Sequence, residues 1–273
     1  MPRAVWQGAV SFGLIHVPVE MYAAARDGGL AMHLLDSRDF APVGYHRVNK
    51  ATGEEVAWSD IVKGYEYEKG QYVALSEADF KHANVKATQT IDIATFTDAG
   101  NIDPAFYETP YYLAPGKGGD KVYALLRDAL DASGKVAVAT LVMRGRQHLC
   151  VVTPRERALM LITLRFADEI LPPDTIKSRM HGSRGPRLQP AELSMARKLI
   201  EEMSGPFRPG EFHDTYRADL MRRIREKIRK GQTHALVAEP EEAADARPTA
   251  QVIDLVQALK DSLKAGRKDR RRA

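Results

Sequence analysis

Three aspartates, Asp92, Asp98 and Asp103, lie within a dozen residues of one another. Clustered carboxylates can hold Mg²⁺ or Mn²⁺ and activate water against a phosphodiester, so a metal-dependent nuclease is one reading. Asp92, however, alternates with Ile91 and Ile93 on a period-two stretch, and Asp98 and Asp103 flank a turn at Gly100. That pattern equally describes solvent-facing strand and turn acids. The eight histidines are His16, His33, His46, His82, His148, His181, His213 and His234. No two are spaced three to five apart, so no metal-ligand pair emerges. Cys150 is the only cysteine, which excludes an intrachain disulfide and a cysteine-based zinc site. It sits in an apolar stretch and reads as an inert thiol.

The run from Pro115 to Lys121, PGKGGDK, looks like a phosphate loop at a glance. A P-loop needs GxxxxGK[ST] after a buried strand, and here the spacing fails and Asp120 stands where Ser or Thr would bind magnesium. The run reads as a flexible turn before a helix, from which Lys117 or Lys121 can still reach a phosphate. No serine occupies a GxSxG elbow. No catalytic constellation, cofactor site or metal site is expected.

The positive signal is cationic. Arg217–Lys230 carries seven basic residues against two acids, and the chain ends RKDRRRA. Each can be a solvated face or tail as well as a phosphate contact. More telling is Leu35–Tyr72, where Arg38, His46, Arg47, Lys50 and Lys63 alternate with turn residues and Tyr45 is interleaved. The stretch reads as a polar, basic ribbon on a more apolar scaffold, facing something anionic.

The scaffold has ordinary composition: 273 residues, 44% apolar, net charge +4. No apolar run approaches the ~18 residues of a membrane span. The opening segment lacks the features of a signal peptide. A cytoplasmic, nucleoid-associated location without a membrane partner is expected.

Residues 5–22 read as extended, with Val10, Phe12 and Leu14 on one face and bends or bulges at Gly8 and Gly13. Gln71–Leu75 is a short strand, and Ser76 with Asp79 opens the helix EADFKHA. Thr88–Thr97 and Tyr111–Leu113 are strands, and Asp120–Ala132 is an amphipathic helix stopped at Gly134. KVAVATLVM, QHLCVVTP and ALMLITLRF form an antiparallel meander with turns at Gly145 and at Pro154–Arg157. Many short strands with one packing helix point to a β-barrel or closed sandwich. Two amphipathic helices follow, Ala191–Met203 and one with the Tyr216, Leu220, Ile224, Ile228 stripe. Both need a surface to bury against, and a partner subunit would serve. Residues 238–248 are an acidic, Pro-containing linker. Beyond it Val252, Leu255, Val256, Leu259 and Leu263 share one helical face, a candidate docking helix.

The segments WQGAVSFGLIHVPVEMY, GYHRVNKATGEEV, IVKGYEYEKGQYVAL, VKATQTIDIATF, FYETPYYLAP, KVYALLRDAL, VMRGRQHL and LRFADEIL occur in that order across roughly residues 4–171. Together they closely resemble the bacterial Ku proteins of non-homologous end joining. The resemblance implies a mixed, mainly β fold: a Ku-type β-barrel core over 1–182 with a bridge insertion at about 35–72. A helical, dimerising arm over 183–232, a linker over 233–248 and a ligase-docking helix with a basic tail over 249–273 complete it. It implies a homodimeric ring that threads double-stranded DNA ends, no enzymatic activity, and an ATP-dependent DNA ligase as partner. Arg38, His46, Arg47, Lys50 and Lys63 become candidate backbone contacts. The alternatives are a regulator or RNA-binding barrel, which would need an element aimed at base edges, and the metal-dependent nuclease.

Overall fold

The computed structural model describes residues 3–83, 89–176 and 188–233. It divides into two compact units, Met1–Gly28 with Gly44–Pro172, and Gly29–Val43 with Pro173–Ala273.

The first unit is built on a closed barrel. β1 (Trp6–Phe12) and β2 (Ile15–Ala23) form a hairpin in register from Trp6↔Met21 to Phe12↔Ile15. The opening stretch is therefore two strands folded back on each other, and Leu14 is 99% exposed at the tip rather than facing the core with Val10. The turn is possible because Gly13 takes φ +59°, a left-handed value that glycine adopts at no steric cost. Gly8 marks no bulge: its pairing is continuous. A Cβ there would lie 2.0 Å from the Gln89 carbonyl oxygen and 2.4 Å from the Trp6 ring, so glycine permits a close crossing.

From β2 the chain leaves the barrel and returns through β3 (Lys63–Glu68), β4 (Gln71–Leu75) and α1 (Glu77–Ala83). The expected cap at α1 is present: Asp79 accepts from the Ser76 backbone N–H at 2.8 Å, and the Asp79 N–H donates to Ser76 Oγ at 3.3 Å. β5 (Thr90–Asp98), β6 (Tyr107–Pro115), α2 (Asp120–Ser133), β7 (Lys135–Met143), β8 (Arg146–Arg155) and β9 (Ala158–Leu164) follow. The barrel order is β1-β2-β6-β9-β8-β7-β5, closed by parallel pairing of Ala9–Ser11 with Thr90–Asp92.

Alternation along these strands sends Val10, Val17, Val19, Met21, Ile91 and Leu161 into one core. α2 packs against β2, β7 and β8. These strands are not all neighbours in the wall, so the helix lies across one barrel end. Its Tyr123 hydroxyl, in the buried core, donates to the Leu113 carbonyl at 2.6 Å and accepts from the Leu159 N–H at 2.7 Å. Gly134 ends α2 at φ +65°, as the sequence pattern requires.

The second unit contains α3 (Pro190–Met203) and α4 (Thr215–Arg229). Asp214 caps α4 by accepting from the Arg217 N–H at 2.9 Å. Neither helix has a buried residue. Leu193, Ile200 and Met203 on α3, and Tyr216 and Ile228 on α4, are exposed apolar side chains. The expected domain boundary at 182 lies outside the described residues. So do the linker beyond Thr233, the docking residues Val252, Leu255, Val256, Leu259 and Leu263, and the basic tail. No helix among the described residues is long and apolar enough to cross a membrane.

Candidate nucleic-acid interface

The inserted ribbon begins, in the first unit, with a small hairpin. Arg47 and Asn49 on one limb meet Val56 and Glu54 on the other, with Val56 N–H donating to Arg47 O and Asn49 N–H to Glu54 O, each at 2.8 Å. Asn49 Oδ1 accepts from the Ala51 N–H at 2.8 Å, and Gly53 takes φ +76°, which closes the tip. Lys50 projects from this tip. Downstream, the Trp58–Asp60 3₁₀ turn presents an indole that is 72% exposed, and the Arg47 guanidinium lies 4.5 Å over its centroid. The stack holds Arg47 in place while its N–H edges stay open to an acceptor.

β3 and β4 are exposed on both faces, apart from partly covered Leu75. Register sorts their side chains. Lys63 and Tyr65 share one face with Leu75 and Val73, and Gly64 and Glu66 share the other with Ala74 and Tyr72. The first face is apolar and carries a cation, with Lys63 Nζ 4.9 Å over the Phe80 ring. The second carries carboxylate.

The stretch as a whole is less basic than its interleaved cations imply: residues 35–72 hold seven acids against five Lys and Arg. Much of that acid is engaged in local bonds. Glu55 Oε1 meets His46 Nδ1 at 3.1 Å, Glu66 accepts from the Gly70 N–H at 2.8 Å, and Asp60 accepts from Ser59 Oγ at 3.1 Å. In the second unit, Asp36 takes the Arg38 side chain through Nε at 2.9 Å and Nη2 at 2.5 Å. The hydrogen bonds from Arg38 hold the Asp36 carboxyl below its usual value, and the same pairing raises Arg38. Arg47, Lys50 and Lys63 have no ion-pair partner among the described residues, whereas Arg38 and His46 do. Lys69, beside Gly70 at the β3–β4 turn, is equally unpaired there and is missed by the sequence pattern. Its one signal is its place at an exposed hairpin tip.

Lys117, in the turn before α2, and Lys121, in the first turn of α2, are both exposed. The turn is seated against β2: the Gly116 N–H donates to Pro18 O at 2.8 Å, and a Cβ on Gly119 would lie 2.9 Å from that oxygen. On α4, Glu226 takes Lys230 at 2.7 Å and Arg223 at 3.3 Å, and Asp219 takes Arg222 at 2.8 Å. Lys230, then Arg223, hold the Glu226 carboxyl below its usual value. That face is partly neutralised by its own acids, leaving Arg217, Arg225, Lys227 and Arg229 without an ion-pair partner among the described residues.

The nuclease arrangement does not assemble. Asp92 and Asp98 lie on the same strand six residues apart, about 20 Å at strand rise. Asp92 accepts from Thr90 Oγ1 at 2.9 Å, Asp98 takes Lys135 Nζ at 2.7 Å, and Asp103 accepts from the Ala105 N–H at 2.8 Å. Among the described residues no group of three His, Cys, Asp or Glu could hold a metal ion. Cys150 is fully buried, its thiol donates to the Ala139 carbonyl at 3.4 Å, and burial pushes its pKa up to about 12.

Residues 11–195 match the family description Ku70/Ku80 beta-barrel domain. The chain is 47% identical over 272 residues to the non-homologous end joining protein Ku of Cupriavidus necator, covering 99% of this chain and 80% of that one. It is 44% identical to the protein of the same name from Pseudomonas aeruginosa, covering 97% and 89%. The Coxiella burnetii protein so named is 38% identical, with 99% and 97% covered.

Proposed function

Because this chain belongs to the Ku family of bacterial non-homologous end joining proteins, we propose that it binds double-stranded DNA ends without reading their sequence. The single observation that carries this is the ribbon: an insertion exposed on both faces, carrying Arg47, Lys50 and Lys63 without carboxylate partners among the described residues. An isolated two-stranded hairpin is marginal in water, so such an element is completed by what it meets. Point charges and a guanidinium fork recognise phosphate, which carries no base information.

The working form is a homodimer whose two ribbons close a ring over the duplex. Support comes from the exposed apolar side chains of α3 and α4, Leu193, Ile200, Met203, Tyr216 and Ile228, which a second copy would bury. An ATP-dependent DNA ligase is the partner that supplies the sealing chemistry, recruited by the 249–273 segment on its sequence pattern. The chain itself positions and protects ends.

The test compares a linear duplex with a covalently closed circle of the same sequence at matched salt. Binding to the linear form alone, unchanged by unrelated competitor sequence, is the expected result. Equal affinity for the circle would refute loading from ends, and sensitivity to competitor sequence would refute phosphate recognition.

A further inference from the structure

We propose that the β7–β8 turn, Arg144-Gly145-Arg146, is a second phosphate-binding element, set in the barrel end from which the ribbon springs. It rests on the duplex-binding reading above and extends it to residues that reading does not use.

Turn chemistry does not account for Arg144. The hairpin closes on the Met143↔Arg146 pair with two residues between. Both are left-handed, Arg144 at φ +52° and Gly145 at φ +76°. That is the pattern of a type I′ turn, for which Asn-Gly, Asp-Gly and Gly-Gly are favoured. Gly145 fits. An arginine in the first position holds its Cβ against the following carbonyl, a conformation L residues avoid.

The register places the turn. Ile91 pairs with Leu141, two residues before Met143, and the Gln89 carbonyl, at the first described residue of the returning limb, accepts from the Ala9 N–H at 3.1 Å, so that limb enters the wall at the end of β7 that carries the turn. The outgoing limb leaves β2 after Ala23, and Met21 there pairs with Trp6. The Trp6 indole N–H donates to the Val142 carbonyl at 3.2 Å, which ties this end of β1 to the base of the turn. Both limbs of the ribbon and the turn therefore share one barrel end. Lys117, Lys121 and the α2 lid occupy the other, where Pro115 pairs with Val19 and β8 turns into β9.

The turn stands on two strands anchored in the core, and its arginines carry no ion pair among the described residues. Leu141, Met143, Cys150, Val151 and Val152 anchor its two strands in the core. Arg144 and Arg146 are exposed and have no ion-pair partner among the described residues. Two guanidinium forks on a fixed hairpin are pre-organised for the paired oxygens of phosphate groups. Duplex backbone emerging from beneath the ribbon is the ligand their chemistry selects.

The experiment measures the salt dependence of linear-duplex binding for the wild-type chain and two double variants of equal charge change. Arg144→Asn with Arg146→Gln alters the proposed element, and Arg155→Gln with Arg157→Gln alters the opposite barrel end. The first is expected to lower the log–log salt slope by about 1.8 per subunit, about 3.6 for the dimer, so that a fourfold rise in salt costs it about 150-fold less affinity than wild type. The second is expected to keep the wild-type slope. Arg144→Asn alone should raise the melting temperature, because Asn-Gly suits the turn, while weakening binding; a purely structural role would not produce that opposition. An unchanged slope in the first variant, or an equal drop in both, overturns the proposal while leaving duplex binding intact. Failure of wild type to bind linear duplex would remove the proposed function and this element with it.

Discussion

Trp58→Leu separates how Arg47 is positioned from how much charge it carries. The guanidinium lies 4.5 Å over the indole, and the ring is 72% exposed. Ordering a free arginine at an interface costs about 0.5–1.5 kcal/mol. The stack can remove no more of that cost than its own strength, which at an exposed site is about 0.5–1 kcal/mol. The smaller figure governs, so Trp58→Leu should weaken duplex binding by about two- to fivefold per subunit, about five- to thirtyfold for the dimer. The charge remains, so the salt slope should not move. Arg47→Gln, in contrast, should lower the slope by about 0.9 per subunit, about 1.8 for the dimer, as expected when one phosphate at each ribbon is no longer neutralised. Fluorescence anisotropy of a labelled blunt duplex over a range of salt concentrations reads both quantities. Sedimentation of each variant alongside checks that its assembly state matches wild type. A slope that fell as far in Trp58→Leu as in Arg47→Gln, or an affinity that Trp58→Leu left untouched, would refute the positioning argument.

Other outcomes follow from the same geometry. Tyr123→Phe leaves the Leu159 N–H and Leu113 carbonyl without their hydroxyl partner in the core. It should destabilise the barrel by about 2–3 kcal/mol in urea unfolding, and a loss within error of zero would count against the bridge. Cys150 has a folded pKa of about 12 against 9.0 for an ordinary thiol. The folded state therefore holds the proton that the unfolded chain releases, and stability should fall as pH rises from about 9 towards 12. Cys150→Ala should flatten that part of the profile relative to wild type, and identical profiles would contradict the burial argument. The native thiol should also resist a disulfide reagent at mildly alkaline pH until the protein is unfolded. Removal of residues 249–273 should abolish stimulation of an ATP-dependent DNA ligase, if the proposed docking holds, while leaving duplex binding by the core, and stimulation that survived would sink the docking reading.

Much of the architecture is legible along the chain because its signals are local. The meander shows in continuous apolar strands and tight turns, and β7, β8 and β9 stand where the pattern puts them. Ser76 with Asp79, and Gly134 after α2, mark helix ends through bonds that span only a few residues. The apolar stripes of α3 and α4 are equally plain, and each keeps exposed apolar side chains in the structure.

The candidate site is legible only as a set of residue types. Arg38 and Arg47 look alike in sequence, yet one is tied to Asp36 and the other stacks on Trp58. Which carboxylate neutralises which cation depends on folded distances, and an acid-rich ribbon can still present unpaired positive charge. Gly8 reads as a bend in sequence, but in the fold the Gln89 carbonyl, brought from 81 residues away, fills the space of its missing Cβ. Barrel closure has the same origin, since Ala9–Ser11 pairs with Thr90–Asp92. Periodicity decides which side of a strand is apolar, because side-chain direction is a property of the local backbone. It cannot decide which strands meet, or which turn stands beside the ribbon, because those are settled by closing the sheet on itself.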